Sequence, residues 1–225
     1  MALKLYHHPF SSFCQKAVVA LRERSVRFEG VVVDLGDPAQ KAALEALWPM
    51  GKFPVLRDEE AGVTIPEACL IAEYADRHLS AAQDGRRLVP DDLDAARNVR
   101  LWDRVLDNYV EHPMQKAVKD HLVPSDARDP HGVEDAKALL ARAYALIDGE
   151  LARTGADWIA GEEFSLADCG AGPALFYANI IVPFADFPHL SAYYERLCAR
   201  PSFAGAIDDA RPYRDFFPLE WPEGY

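Results

Sequence analysis

The first chemical signal in the chain is a pair of serines just ahead of a cysteine. His7-His8-Pro9-Phe10-Ser11-Ser12-Phe13-Cys14 separates a strand-like stretch, Leu3, Lys4, Leu5 and Tyr6, from a helical pattern. In that pattern Cys14, Ala17, Val18 and Leu21 recur at i, i+3, i+4 and i+7. Ser11 or Ser12 at this point can serve as a plain N-cap. The same point can also do chemistry. Free backbone N–H groups at a helix start favour an anion, including a thiolate. A hydroxyl there can donate a hydrogen bond to the thiolate and lower the thiol's pKa.

Two further motifs point to what such a turn could hold. Gly51-Lys52-Phe53-Pro54-Val55-Leu56 puts a proline at the mouth of a strand, where it is poor ladder material and often sits in a cis turn. A cis-proline there turns the Phe53 backbone outward as an extended edge able to pair with a peptide. Ile65-Pro66-Glu67-Ala68 adds a carboxylate and fresh N–H groups at another helix start. Together the motifs suit a short zwitterionic peptide. Its backbone pairs with the edge, its amine meets Glu67 and its carboxylate meets helix amides.

The elements that must position these residues follow from patterning. Residues 28–33 form a β-branched, strand-like run. Residues 38–47 read as a short helix. An extended stretch begins at Pro54, turns over 58–62 and returns through Val63, Thr64 and Ile65 as a hairpin. Residues 67–78 read as helix, so the order is βαβαββα over about 80 residues. Residues 80–92, with Ser80, Gln83, Asp84, Gly85, Arg86, Arg87 and Pro90, are polar and aperiodic and read as an interdomain linker. Arg86 and Arg87 are expected as solvated charges or as partners for acids across a dimer.

Beyond the linker the strands vanish. Residues 93–123 form a long helical pattern with Trp102, Leu106 and Tyr109 on one face, which Pro113 should kink. Further helices are expected over 133–151, from Ser165, over 189–199 and over 201–210. Ser165 is a good N-cap, and Asp168 stands where a capping-box acid answers back. The tail is aromatic and proline-rich: Tyr213, Phe216, Phe217, Pro218, Trp221 and Pro222. The expected organisation is an α/β domain over 1–79, a linker over 80–92 and an all-helical domain over 93–225.

Composition excludes several classes. Half of the 225 residues are hydrophobic and 27% are charged, which rules out disorder for the bulk of the chain. With 24 basic and 36 acidic residues the net charge is −12, which argues against nucleic acid and against docking on an anionic membrane. No apolar run approaches the roughly 18 residues of a membrane span. The N-terminal residues lack the apolar region of a secretory signal. Cys14, Cys69, Cys169 and Cys198 are scattered, as expected of reduced thiols in a cytoplasm. His7 and His8 point to opposite sides of a strand end and have no evident third ligand, so no metal is expected.

In order and spacing, S-S-F-C-Q-K, G-K-F-P-V-L, I-P-E-A and F-S-L-A-D make the chain resemble the cytosolic glutathione transferases over nearly its full length. The resemblance implies a thioredoxin-like N-terminal domain that binds glutathione as co-substrate, a helical domain that supplies the second substrate's pocket, and a homodimer. Ser11 matches the thiol-activating position, with Ser12 beside it where many relatives have proline. Phe53, before the family's cis-proline at Pro54, pairs its backbone with the cysteinyl part. Glu67 holds the γ-glutamyl end, helped by the Ala68 N–H. Lys52, or Lys41 with Gln40, meets the glycyl carboxylate. Trp102, Tyr109 and His112, with Met114, Lys116 and His121, and the aromatic tail are candidates to line a pocket for a small hydrophobic electrophile.

Three departures qualify the match. Ala68 stands where the family usually has serine, which removes one hydroxyl contact. Trp48-Pro49-Met50-Gly51 stands where relatives often read N-P-x-G. Ser11-Ser12-Phe13-Cys14 overlays the C-x-x-C of redox relatives with its first cysteine replaced. Cys14 falls on the apolar face of the helix, where burial should raise its pKa. Serine stabilisation of the glutathione thiolate is therefore the leading chemistry. A glutathione-dependent thiol reductase, isomerase or dehalogenase, and a non-catalytic binding protein on the same scaffold, are the alternatives.

Overall fold

The computed structural model describes residues 2–82 and 85–219. Gln83 and Asp84 of the expected linker, and Trp221 and Pro222 of the tail, lie outside the described residues. The first half runs β1 (Leu3–His7), α1 (Ser12–Glu23), β2 (Glu29–Val32), α2 (Pro38–Leu47), β3 (Val55–Asp58), β4 (Val63–Pro66) and α3 (Ala68–Tyr74). This is the expected βαβαββα order. The sheet order is β2-β1-β3-β4. The α1 crossover makes β1 and β2 parallel, while β3 is antiparallel to both β1 and β4. The helix expected over 67–78 has its full extent, but its last turn, Ala75–Leu79, is a wide π turn.

The second half is helical: α4 (Leu93–Leu106), α5 (His112–Leu122), α6 (Pro130–Thr154), α7 (Leu166–Ile181), α8 (Pro188–Cys198) and α9 (Pro201–Ala210). A 3₁₀ turn, Arg211–Phe216, follows. The kink expected at Pro113 lies upstream of it. A π turn over Asp107–Glu111 joins α4 to α5 without a break in helical backbone, and Pro113 falls in the first turn of α5. A proline ring crowds the carbonyl four residues earlier, here Tyr109, so the distortion belongs inside the π turn.

The capping acid of α7 forms as expected. Asp168 accepts from the Ser165 N–H at 2.8 Å and from its hydroxyl at 2.7 Å. The same carboxylate accepts from the Tyr193 hydroxyl at 2.6 Å, which ties α7 to α8. The first three turns of α7 are buried on every side. Their small residues let α1 come close: a side chain at Gly170 would stand 3.1 Å from the Lys16 stem.

One apolar core runs through both halves, from Leu5, Leu56 and Ile71 to Leu140, Tyr144 and Tyr193. A smaller cluster of Val33, Leu44 and Val55 lies beside it, with Tyr6 and Phe53 packed against it. The described residues of the expected linker over 80–92 pack against the rest of the chain. Leu88 and Val89 are buried in the core, and the Leu88 carbonyl accepts from the Leu166 N–H at 2.9 Å. Arg87 donates to the Asp76 carbonyl at 2.5 Å and Arg86 meets Glu163 at 3.0 Å, so both arginines engage their own chain.

Candidate active site

Strand register gathers the three motifs. Tyr6 lies opposite Val55, and Val55 opposite Pro66. The end of β1, the start of β3 and the end of β4 therefore share one end of the sheet. His8, Phe53 and Glu67 follow from those three points, and the start of α1 stands just beyond β1.

The structure separates the two serines. Ser11 is the N-cap of α1, with extended φ −82° and ψ 122°, and its Oγ accepts from the Cys14 N–H at 3.4 Å. The same hydroxyl also hydrogen-bonds the Cys14 thiol, where it opposes part of the effect of burial. Ser12 turns inward instead. It is buried and donates to the Glu111 carboxylate. Cys14 is fully buried, and burial pushes its thiol up to about 12, so it stays a thiol at neutral pH.

The Phe53–Pro54 bond is cis. Among the described residues the Phe53 N–H and carbonyl have no hydrogen-bond partner. Glu67 is exposed and holds φ +70° and ψ 125°. For a non-glycine residue that backbone costs about 1–3 kcal/mol, and such strain clusters at functional sites. Ala68 is buried at the start of α3, and Lys52 is exposed beside Phe53. Lys41 and Gln40 are less available: Lys41 lies 3.8 Å from Glu45, and Gln40 donates to Asp37 at 3.0 Å.

Sequence reasoning offered the tail, beside the first long helix, as a candidate wall of the second substrate's pocket. The Arg211–Phe216 turn folds back onto the same end of the sheet. The His8 ring stacks on Phe53 at 6.3 Å and meets the edges of Tyr213 at 4.8 Å and Phe216 at 6.1 Å. Phe217 packs on Phe10 and Tyr177. Burial lowers the His8 imidazole, which Asp34 partly opposes, and burial lowers His7 to about 4. Both rings are therefore neutral at pH 7.

One group was missed. Behind the turn, α1 meets the helical half through buried polar side chains. Lys16 lies 2.5 Å from Asp103 and 2.8 Å from Asp107. Burial alone pulls the Lys16 ammonium down, but Asp107 and Asp103 outweigh it and hold the group above its ordinary value. Glu111, 3% exposed, accepts from Ser12 and, at 2.9 Å, from Gln115. Burial pushes its carboxyl up to about 7. Gln15 donates to the Pro9 carbonyl and to the Tyr177 hydroxyl, both at 3.0 Å. The available signal was the four-residue spacing of Asp103, Asp107, Glu111 and Gln115.

The residues expected to line a second pocket do not form one wall. Trp102, 5% exposed, and Met114 are packed in the core. Tyr109, 47% exposed, and His112 face solvent. Lys116 pairs with Asp129 at 2.7 Å, and His121 Nδ1 sits 2.9 Å from the Ala117 carbonyl. The π turn rotates α5 relative to α4, so residues on one face of a regular helix part company here.

Comparison with known proteins identifies the scaffold. The family model for the glutathione S-transferase N-terminal domain matches residues 5–83, and that for the C-terminal domain matches residues 111–201. Glutathione S-transferase 3 of Zea mays is 31% identical over 215 residues, covering 91% of this chain and 93% of the relative. Glutathione S-transferase F13 of Arabidopsis thaliana is 30% identical, covering 90% of this chain and 94% of the relative. A crystal structure of a glutathione S-transferase from Methylobacillus flagellatus with GSH bound superposes with a TM-score of 0.80 at 26% identity, over 91% of this chain and 98% of that one. The sheet and its helices are thus a thioredoxin-like domain joined to a helical one. With both halves matched and relatives at 30% identity or more along most of its length, the chain belongs to the glutathione S-transferase family.

Proposed function

We propose that the protein is a glutathione transferase that activates the thiol of glutathione for attack on a hydrophobic electrophile. The observation that carries this reading is the meeting, at one end of the sheet, of the Ser11 N-cap hydroxyl, a Phe53 backbone with no partner among the described residues, and the strained Glu67. Glutathione lies extended along Phe53. Its amine meets Glu67, the γ-glutamyl carboxylate takes the Ala68 N–H, and Lys52 approaches the glycyl carboxylate. The sulfur then reaches the N-cap. There the Ser11 hydroxyl and the first free amides of α1 stabilise the thiolate as the thiol proton passes to water. The sulfur attacks the electrophilic carbon, an S–C bond forms, and the displaced group leaves with the bonding pair. No enzyme-bound covalent intermediate is required.

We assign the electrophile's wall to His8, Tyr213 and Phe216, which cluster beside Phe53 at the same end of the sheet. Phe216 is 68% exposed although it is a large apolar side chain. We also read the active form as a homodimer, as the family resemblance implies.

Two variants test the assignment. Glycine keeps N-cap preference within a few tenths of a kcal/mol of serine, so Ser11→Gly removes the hydroxyl and spares the helix. Conjugation of glutathione to chlorodinitrobenzene should fall about tenfold to a hundredfold, the range of a hydrogen bond to a charged group. Cys14→Ala should retain most of that activity. The opposite pattern would move the chain to thiol exchange. Millimolar glutathione should raise the melting temperature of the wild type by ligand linkage, and no shift would count against glutathione altogether.

A further inference from the structure

Asp103, Asp107, Glu111 and Gln115 follow one another at steps of four. A regular α-helix turns about 100° per residue, so each such step overshoots a full turn by roughly 40°. The π turn at Asp107–Glu111 takes more residues per turn and absorbs part of that overshoot. The first three side chains therefore stay on the face that meets α1. On α1, Ser12 and Lys16 stand one turn apart and face them. The result is a two-rung ladder between the halves: Lys16 with Asp103 and Asp107, and Ser12 with Glu111. Gln115 donates to the same Glu111 oxygen, Oε1, that Ser12 holds.

The Lys16 rung joins opposite charges. The Ser12 rung does not, and it buries a carboxyl with two neutral donors, where an apolar side chain would pack at lower cost. Its distinguishing feature is position. Ser12 is the first residue of α1, directly after the Ser11 cap. We propose that Glu111 is a positioning residue for sulfur activation. By holding Ser12 Oγ it fixes the first turn of α1, and with it the Ser11 hydroxyl and the helix-start amides, against the Phe53 edge. This rests on the reading of Ser11 given above.

Glu111 also couples to charge at the site. Facing it are Ser12 and Lys16 from α1, Asp107 from its own turn, Gln115 from α5 and Tyr177 from α7. Burial dominates and lifts its carboxyl to about 7, while Ser12, Gln115 and Lys16 oppose the rise. An ionised Glu111 adds negative charge behind the helix start and works against the thiolate.

The test uses the full-length protein, with the ultraviolet absorbance of bound glutathione thiolate followed against pH. Glu111→Leu keeps bulk but loses the acceptor, and should lower kcat about tenfold or more, the scale of a small misplacement. It should raise the pH midpoint of thiolate formation and leave KM for glutathione within about threefold. Ser12→Ala removes one oxygen and should reproduce both effects, so the test does not depend on the leucine variant folding. Glu111→Gln keeps an acceptor without charge. It should recover most of kcat and move the midpoint below that of the wild type. Variants that bind glutathione with unchanged kcat and midpoint, or a glutamine variant indistinguishable from leucine, would overturn the proposal. A wild type that forms no bound thiolate would instead overturn the Ser11 reading, and this inference with it.

Discussion

The first turn of α1 has two sides built on opposite principles. On the outer side, beside the Ser11 cap, the Phe53 backbone leaves its donor and acceptor unused among the described residues, and Glu67 holds a strained backbone. On the inner side, Ser12, Gln15 and Lys16 are buried and engaged with Glu111, Tyr177 and two aspartates. One residue step separates the two regimes. The outer side gives up stability to keep hydrogen-bonding capacity for a ligand. The inner side makes the helix start rigid enough for that capacity to be aimed.

The sharpest way to break the inner side is Lys16→Met. It keeps the apolar stem and removes the charge between Asp103 and Asp107. Loss of one partner from a buried ion pair costs about 3–5 kcal/mol. The low end is expected here, because Arg104 still meets the same carboxylates at 2.6 and 2.8 Å. A urea denaturation curve with a lowered midpoint and unchanged slope would report this. A loss below about 1 kcal/mol, the range of exposed pairs, would show that this ladder is not what holds the halves together.

The two sides were also unequally legible. The outer side announced itself because its residue types are unusual for their local structure. A proline at a strand mouth, Pro54, and a carboxylate after Ile65-Pro66 at a helix start are each visible within a few residues. The βαβαββα order was legible for the same reason, since period and turn chemistry are local. The inner side depends on partners far apart in the chain: Ser12 meets Glu111 across 99 positions and Gln15 meets Tyr177 across 162. The four-residue acid spacing was readable, but nothing local says that this face is buried or that a π turn realigns it. The same turn separates Tyr109 from the face that Trp102 and Leu106 share in α4. One face of a continuous helix was assumed, and the turn at Asp107–Glu111 divides it.

A smaller effect probes the cost of the Ser12 rung through pH. Burial lifts the Glu111 carboxyl from 4.5 to about 7. Between those values the folded chain keeps a proton that the unfolded chain has lost. The contribution of this group to stability therefore falls as pH rises from about 4.5 to about 7, and is flat outside that window. Glu111→Gln abolishes the dependence. Its melting temperature relative to wild type should climb across that window, by an amount on the order of 3 kcal/mol in stability. A difference that does not change with pH would mean that the Glu111 carboxyl is not lifted.

The smallest expected change in stability comes from the outer side, and its sign is the informative part. At Glu67 the backbone holds φ +70°, which glycine adopts without steric penalty. Glu67→Gly relieves strain of about 1–3 kcal/mol. Glycine's extra freedom in the unfolded chain takes back roughly 0.4–1 kcal/mol. The Glu67 carbonyl still accepts from the Ile71 N–H at 2.9 Å, so α3 keeps its start. The net expectation is a gain near 1 kcal/mol in thermal stability, together with at least about a tenfold loss of glutathione affinity from the missing charged partner. Calorimetric melting and glutathione titration on the same preparation separate the two. A variant that is more stable and binds as well as wild type would show that the strain serves something other than this ligand. One that is less stable would mean that the conformation is locally favourable, and that the contrast between the two sides of the turn is weaker than the geometry indicates.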